Sequence, residues 1–99
     1  MESGYVQYSV SNGIGTVTFF HPQSNSLPGE LLRLLAKTIE ETGQRSDVNV
    51  IILMSEGEKA FCAGASFDEL VAIHDEATGD HFFSGFALVI NAMRQCPKL

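Results

Sequence analysis

The residues best suited to chemistry lie in the segment 58–70, which reads EKAFCAGASFDEL. An Ala-Gly-Ala turn at 63–65 separates a nearly continuous apolar run, 48–54 (VNVIILM), from a helix start signal. Backbone N–H groups just ahead of a helix lack intrahelical partners and attract negative charge. The turn therefore predicts that the Ala65 N–H is available to stabilise a developing oxyanion.

The helix start signal is the S-x-x-E spacing of Ser66 and Glu69. In a capping box, the serine hydroxyl accepts from the third helical N–H and the glutamate reaches back to the N–H of the serine. We therefore expect a short helix over 66–73, with Glu69 occupied by the cap. The turn could also be purely structural, since a Gly between two small residues is common in loops.

Other reactive side chains near the turn have plainer interpretations. Cys62 could be a nucleophile, but packing behind the loop is favoured. His21 could be a general base, but lining a loop is favoured because no carboxylate partner is apparent. His74 and His81, with Asp75 and Asp80 nearby, could suggest a metal site, but Gly79 interrupts the helix register between them, so no metal site is expected.

The elements that position the turn follow from periodicity. Alternation over 5–10 and an Asn-Gly pair at 12–13 predict an antiparallel hairpin with the strand 14–20. The run 48–54 predicts a strand covered on both faces.

Three helices are predicted, the short one after the turn and two longer ones. The first begins near Pro28 and ends at Gly43, which would adopt a left-handed conformation. A helix over 76–95, ended by Pro97, is predicted from one apolar face. That face comprises Phe82, Phe86, Val89, Ile90 and Met93. The element order predicts an α/β fold in which an antiparallel hairpin is followed by βαβ-type units.

Composition limits the classes of function. The 99 residues include 44% hydrophobic and 18% charged side chains, which is typical of a globular domain. A net charge of −6 argues against general nucleic-acid binding. No apolar run is long enough to span a membrane, and the N-terminal segment has no targeting signal, so a cytoplasmic location is expected. Cys62 and Cys96 form no disulfide or metal framework.

Two segments carry a resemblance to a known family. The segments TVTFFHPQSNSL and NVIILMSEGEKAFCAGASFDEL resemble the second strand and loop, and the central strand and oxyanion turn, of the crotonase (enoyl-CoA hydratase/isomerase) superfamily. They occur in the family's order, and the resemblance covers about Tyr5 to Leu99. It implies an incomplete crotonase-like ββα spiral whose parent enzyme acts on acyl-CoA thioesters, with coenzyme A present only as part of the substrate.

The resemblance also implies roles for individual residues. Ala65 corresponds to the alanine that donates one of two backbone N–H groups to the thioester oxygen. Lys59 matches a position near the adenosine phosphate, and the carbonyl of Ala63 matches the one that holds the adenine. The other residues expected to bind substrate are Ser26 on the pantetheine path, Gly64 in the turn, Ser66 at the helix cap and Phe67 beside the acyl chain.

The chain departs from the family pattern in two places. Ser66 replaces a common aspartate, which removes a charge but preserves the helix cap. Pro97 to Leu99 resemble the lead-in to the strand that supplies the second oxyanion donor. We therefore expect residues 1–99 to be the N-terminal portion of a crotonase-like domain, without an acid/base pair and inactive alone.

Two functional hypotheses follow. The parent protein is an enoyl-CoA hydratase or isomerase, expected to form a homo-oligomer, either a trimer or a dimer of trimers. Alternatively, the chain is a stand-alone non-catalytic module that binds coenzyme A or a partner. If the rest of the domain is missing, the strand 48–54 should have an exposed edge and uncovered apolar surface, which predicts an oligomer or a chain stabilised by a partner. No nucleic acid, membrane or metal partner is expected.

Overall fold

The computed structural model describes residues 4–99. The N-terminal segment, in which no targeting signal was expected, lies partly outside the described residues, since its first three residues are not among them. The order of elements confirms the predicted mixed α/β class. It is β1 (Tyr5–Ser11), β2 (Ile14–Phe20), β3 (Ser26–Leu27), α1 (Gly29–Gly43), β4 (Val50–Ser55), β5 (Gly64–Ala65), α2 (Phe67–Ala72) and α3 (Glu76–Gln95).

The main sheet has the strand order β1-β2-β4. Strands β1 and β2 form the predicted antiparallel hairpin, with Ser11 opposite Ile14. Asn12 and Gly13 turn the chain with φ of 51° and 80°, the positive values that a type I′ turn requires. Strand β4 returns through α1 to lie parallel to β2, which confirms a βαβ unit.

The core lies between this sheet and the pair α1 and α3. Gly85 allows close contact between the helices, because a Cβ there would lie 3.1 Å from Leu32 Cδ1. Burial of apolar area at this interface is the main stabilising contribution to the fold. The core cluster consists of Val17, Phe19, Leu27, Leu32, Leu35, Ala36, Ile39, Val89 and Ala92.

The prediction that the central apolar strand is covered on both faces was wrong. Ile51 and Leu53 pack against the core, whereas Val50, Ile52 and Met54 are exposed by 37%, 46% and 42%. The two long helices cover only one face of the sheet, and no element within residues 4–99 covers the other. The predicted uncovered apolar surface is therefore confirmed.

Two helix details also differ from the sequence prediction. Helix α1 ends at Gly43 as expected, but the capping residue Gln44 has φ −89° and Gly43 has no positive φ. The glycine instead provides space, since a Cβ there would lie 2.9 Å from Cys96 Sγ.

Helix α3 has the predicted bounds and runs through Gly79, and the face it turns inward is shifted from the predicted one, with Phe86 still packed against the core. Phe82, Gly85, Val89 and Ala92 are buried, while Ile90 and Met93 are about half exposed. The shift follows from the close packing of α1 on Gly85, where a Cβ would lie 3.1 Å from Leu32 Cδ1. None of the helices within residues 4–99 has the length and hydropathy needed to cross a bilayer.

Candidate functional site

The predicted turn is part of a small parallel sheet that the sequence did not reveal. Strand β5 pairs with β3, so that Ser26 lies opposite Gly64 and Leu27 opposite Ala65. Gly64 has φ +96°, and an added Cβ would meet nothing within 4 Å. Glycine is therefore required here by the backbone conformation, which L side chains rarely adopt.

The pairing determines which way the backbone donors of the turn point. The Ser66 N–H donates to Leu27 O at 3.3 Å, across the edge that faces β3. Consecutive N–H groups of an extended strand point to opposite edges. The Ala65 N–H accordingly points away from β3, toward the edge of β5 that has no strand neighbour within residues 4–99.

Ser66 begins helix α2 as predicted, but the expected reciprocal capping box is only half formed. The Ser66 side chain accepts from Glu69 N at 3.5 Å. The Glu69 carboxylate does not bond back to Ser66, because the Ser66 N–H is already taken by Leu27. Glu69 Oε2 instead accepts from Gly29 N at 2.8 Å, the first N–H of α1. Pro28 precedes Gly29 and makes no side-chain cap there.

Asn25 holds the loops beside the turn together, and the sequence analysis missed this role. Its side chain is 2% exposed. The Oδ1 atom accepts from His21 N at 2.7 Å, and Nδ2 donates to Glu56 O and to Ala60 O at 2.8 Å each. Its own carbonyl accepts from Ala63 N at 3.3 Å. The signal available in the sequence was an Asn in a turn-forming segment, a residue type that tolerates its φ of 60°.

Lys59 lines a cleft whose walls do not include the turn residues 63–65. The cleft has a volume of about 240 Å³ and is lined by residues of the loops 20–25 and 56–59. His21 is part of its wall, where Nδ1 accepts from Gln23 N at 3.2 Å. Lys59 itself is exposed, so its ammonium is free to meet an anion in solvent.

The remaining predicted residues surround the turn. Ser26 is buried, and its hydroxyl donates to Gln23 O at 2.9 Å, so it is engaged within its own loop. Ala63 and Phe67 are exposed, the latter by 68%. Cys62 packs on the core behind the turn, as favoured, and its Sγ accepts from Gly64 N at 3.4 Å.

Comparison with known proteins identifies the family. The family model described as enoyl-CoA hydratase/isomerase matches residues 9–99 of this chain. The chain belongs to the enoyl-CoA hydratase/isomerase family. The resemblance inferred from the two sequence segments is thus confirmed.

Relatives of this family member are much longer than the chain. YngF of Bacillus subtilis is 36% identical over 73 residues, which are 72% of this chain and 28% of YngF. The mitochondrial methylglutaconyl-CoA hydratase of Rattus norvegicus is also 36% identical over 73 residues, covering 74% of this chain and 23% of that protein. The chain therefore spans about a quarter of the length of these curated relatives.

Solved structures of other proteins share the fold. An enoyl-CoA hydratase/carnithine racemase from Magnetospirillum magneticum superposes with a TM-score of 0.83 at 25% identity, covering 94% of this chain and 36% of that one. DspI of Pseudomonas aeruginosa superposes with a TM-score of 0.85 at 22% identity, covering 95% of this chain and 36% of DspI. The likeness confirms that residues 4–99 adopt the crotonase fold over this part of its length.

Proposed function

We propose that this family member binds acyl-CoA thioesters and that the Ala65 N–H is one donor of its oxyanion hole. The observation that carries the proposal is the direction of that N–H. Pairing of β3 with β5 commits the Ser66 N–H to Leu27 and leaves the Ala65 N–H on the open edge, beside the positive φ of Gly64. Helix α2 has only six residues, so an anion here would rely on this donor more than on a helix dipole.

The chemistry explains why such a donor is needed. Hydration or isomerisation of an enoyl thioester passes through an enolate whose charge collects on the thioester oxygen. Two preorganised N–H donors stabilise that charge, and losing one typically lowers the rate by about a hundredfold to a thousandfold. Proton transfer additionally requires a carboxylate or similar group positioned at the substrate.

The other predicted residues are assigned to recognition of the thioester. Lys59 lies at the mouth of a cleft suited to the adenosine phosphate, and the exposed Ala63 carbonyl is assigned to the adenine. Gly64 lets the backbone approach the ligand. Ser26 contributes to the pantetheine path through its backbone, since its hydroxyl is engaged with Gln23. Ser66 caps α2, and the exposed ring of Phe67 is assigned to the acyl chain.

We further propose that residues 1–99 do not catalyse the reaction alone. Of the carboxylates near the turn within residues 4–99, Glu69 is bonded to Gly29, while Glu56, Glu58 and Asp68 are exposed to solvent. Ala65 provides one donor where the enolate requires two. These residues span about a quarter of the length of the curated relatives. In a family protein of that length, the second N–H donor and the acid/base carboxylate would come from elsewhere in the polypeptide.

A second candidate function is a non-catalytic interaction module. The uncovered apolar strip of β4, defined as Val50, Ile52 and Met54, favours this reading because an exposed apolar edge strand invites pairing. Both candidates place the chain in an assembly, with a homo-oligomer as the simplest form. The two differ in whether a thioester alters the Ala65 amide.

The test is an NMR titration of the ¹⁵N-labelled chain with butyryl-CoA and, separately, with coenzyme A. We expect a shift of the Ala65 amide resonance with the thioester and a smaller one with coenzyme A. If the Ala65 resonance does not respond to millimolar butyryl-CoA, the proposed oxyanion role is wrong.

The same titration tests Lys59. Replacing a phosphate-binding ammonium should lower the affinity for both ligands by about twofold to fivefold, the effect of one exposed ion pair. Lys37→Ala, an exposed lysine on α1, is the matched control for the change in net charge. Equal affinities for Lys59→Ala and Lys37→Ala would refute the assignment of Lys59.

A further inference from the structure

Helix α2 is attached to the rest of the protein by few contacts. None of its six residues is buried, and Phe67, Leu70 and Val71 are exposed by 68%, 42% and 63%. Apolar packing therefore does little to fix this helix, although it directly follows the Ala65 donor. Its position depends on polar contacts at its N-terminal end.

One of these contacts links α2 to the start of α1. Glu69 Oε2 accepts from Gly29 N at 2.8 Å, over a sequence separation of 40 residues. Gly29 begins a helix of 15 residues, and Pro28 before it provides no side-chain cap. A carboxylate at this point satisfies an otherwise unpaired N–H and favourably meets the positive end of the α1 dipole.

The local geometry fits a carboxylate at this position. A Cβ added at Gly29 would lie 3.2 Å from Glu69 Oε1, a tight contact that glycine avoids. At the other end of the same residue, Glu69 N donates to Ser66 Oγ. Glu69 thus connects α1 to the residue that immediately follows the Ala65 donor.

We infer that Glu69 is a positioning residue for the oxyanion donor. The turn is held from one side by the two-residue pairing of β3 with β5, and from the other by α2. Through its bond to Gly29, Glu69 fixes α2 and with it the orientation of the Ala65 N–H toward a thioester oxygen. This inference rests on the proposed function of Ala65.

The experiment removes the contact from each side. Glu69→Ala deletes the acceptor, and Glu69→Gln keeps an uncharged acceptor of the same length. Gly29→Pro deletes the donor at the first helical position, where the backbone accepts proline. Gly29→Ala keeps the N–H but adds the same Cβ 3.2 Å from Glu69 Oε1, so it controls for the added atom. Asp68→Ala is the matched control, because Asp68 is an exposed carboxylate in the same turn that makes no hydrogen bond or ion pair with the part of the chain that the structure describes.

The measured quantity is the ratio of affinities for butyryl-CoA and coenzyme A, together with the thioester-dependent shift of the Ala65 amide. We expect Glu69→Ala and Gly29→Pro each to lower the ratio by about tenfold, the effect of one partly exposed hydrogen bond to a charged group. The double variant Glu69→Ala/Gly29→Pro should lower the affinity ratio no further than either single variant, because both substitutions remove the same contact. In Glu69→Gln the affinity ratio should stay close to that of the unmodified chain.

The outcomes separate this inference from the proposed function. If the wild-type chain has a thioester-dependent Ala65 shift that Glu69→Ala and Asp68→Ala both preserve, Ala65 is the donor and the role of Glu69 is refuted. Equal losses in Glu69→Gln and Glu69→Ala would refute the hydrogen-bond account. If the wild-type Ala65 resonance shows no thioester dependence, the proposed function fails and the inference falls with it.

Discussion

Replacing Asn25 by alanine should destabilise the fold strongly, because its side chain joins two loops that no other side-chain hydrogen bond within residues 4–99 joins. The variant removes three side-chain hydrogen bonds of 2.7–2.8 Å, to His21 N, Glu56 O and Ala60 O. Each contributes about 1 kcal/mol net to stability. The left-handed φ of 60° adds about 1 kcal/mol for alanine, which lacks the local polar contacts that help Asn adopt it.

The expected loss is therefore about 2–4 kcal/mol, the lower end applying if water reaches the freed backbone groups. A domain of this size has about 5–10 kcal/mol of stability, so the variant should still fold. Urea unfolding followed by circular dichroism measures the change. With a slope of about 1.5 kcal/mol per molar urea, the midpoint should fall by about 1–3 M while the slope stays constant.

Ser24→Ala is the matched control for the backbone contribution. Ser24 has nearly the same φ, 58°, but its side chain makes no hydrogen bond to any of the described residues, 4–99. Its replacement should destabilise the fold by about 1 kcal/mol at most, the backbone contribution alone. If Asn25→Ala costs no more than Ser24→Ala, the side-chain bonds of Asn25 do not hold the loops, and the reasoning is refuted.

Three further predictions concern the turn, the exposed strip and the start of α3. Gly64→Ala should lower the free energy of unfolding, measured in urea, by about 1–2 kcal/mol, because φ +96° is strained for alanine even with open space around it. Ile52→Lys should reduce self-association of the chain in light scattering, because it places a charge in the middle of the β4 strip. Hydrogen bonds from the Thr78 N–H and hydroxyl hold the pKa of Asp75, the N-cap of α3, below its usual range. The ionised Asp75 cap should therefore stabilise the protein fully above about pH 4, and this stabilisation should disappear as the pH falls further.

Each of these has a control or a result that would contradict it. Gly79→Ala, in the interior of α3 with its nearest contact at 3.5 Å, should stabilise by about 0.5–1 kcal/mol, opposite in sign to Gly64→Ala. A monodisperse monomer of the unmodified chain at high concentration would contradict the self-association prediction. Asp75→Asn keeps a side-chain acceptor for the cap but has no carboxylate to protonate. The Thr78 amide resonance should shift with acid pH in the unmodified chain and should not shift in Asp75→Asn.

The elements predicted well are those whose information is local. The Asn12-Gly13 turn sets the hairpin register by itself, and the bounds of α3 follow from its apolar period and the proline that ends it. Ser66 was recognised as a helix cap because its acceptor and donor lie three residues apart.

The elements predicted poorly depend on which distant segments meet. Asn25 bonds to carbonyls 31 and 35 residues away, and no periodicity of the chain encodes those partners. Glu69 has the spacing of a capping box, yet it bonds to Gly29, because pairing of β3 with β5 consumes the N–H that the box requires. The apolar pattern of β4 indicated burial but not which faces the two long helices would cover.

The sequence by itself determined the family, the α/β class and the turn that carries Ala65, since motif spacing and hydrophobic periodicity are properties of neighbouring residues. Only the tertiary structure decided to which edge of β5 the Ala65 N–H points. That direction results from the two-residue pairing of β3 with β5, and Asn25 and Glu69 join the neighbouring loops and helices through hydrogen bonds that span 31 to 40 residues. Such contacts exist only once the helices and sheet have packed, because packing alone brings donors and acceptors from separate elements within hydrogen-bond distance.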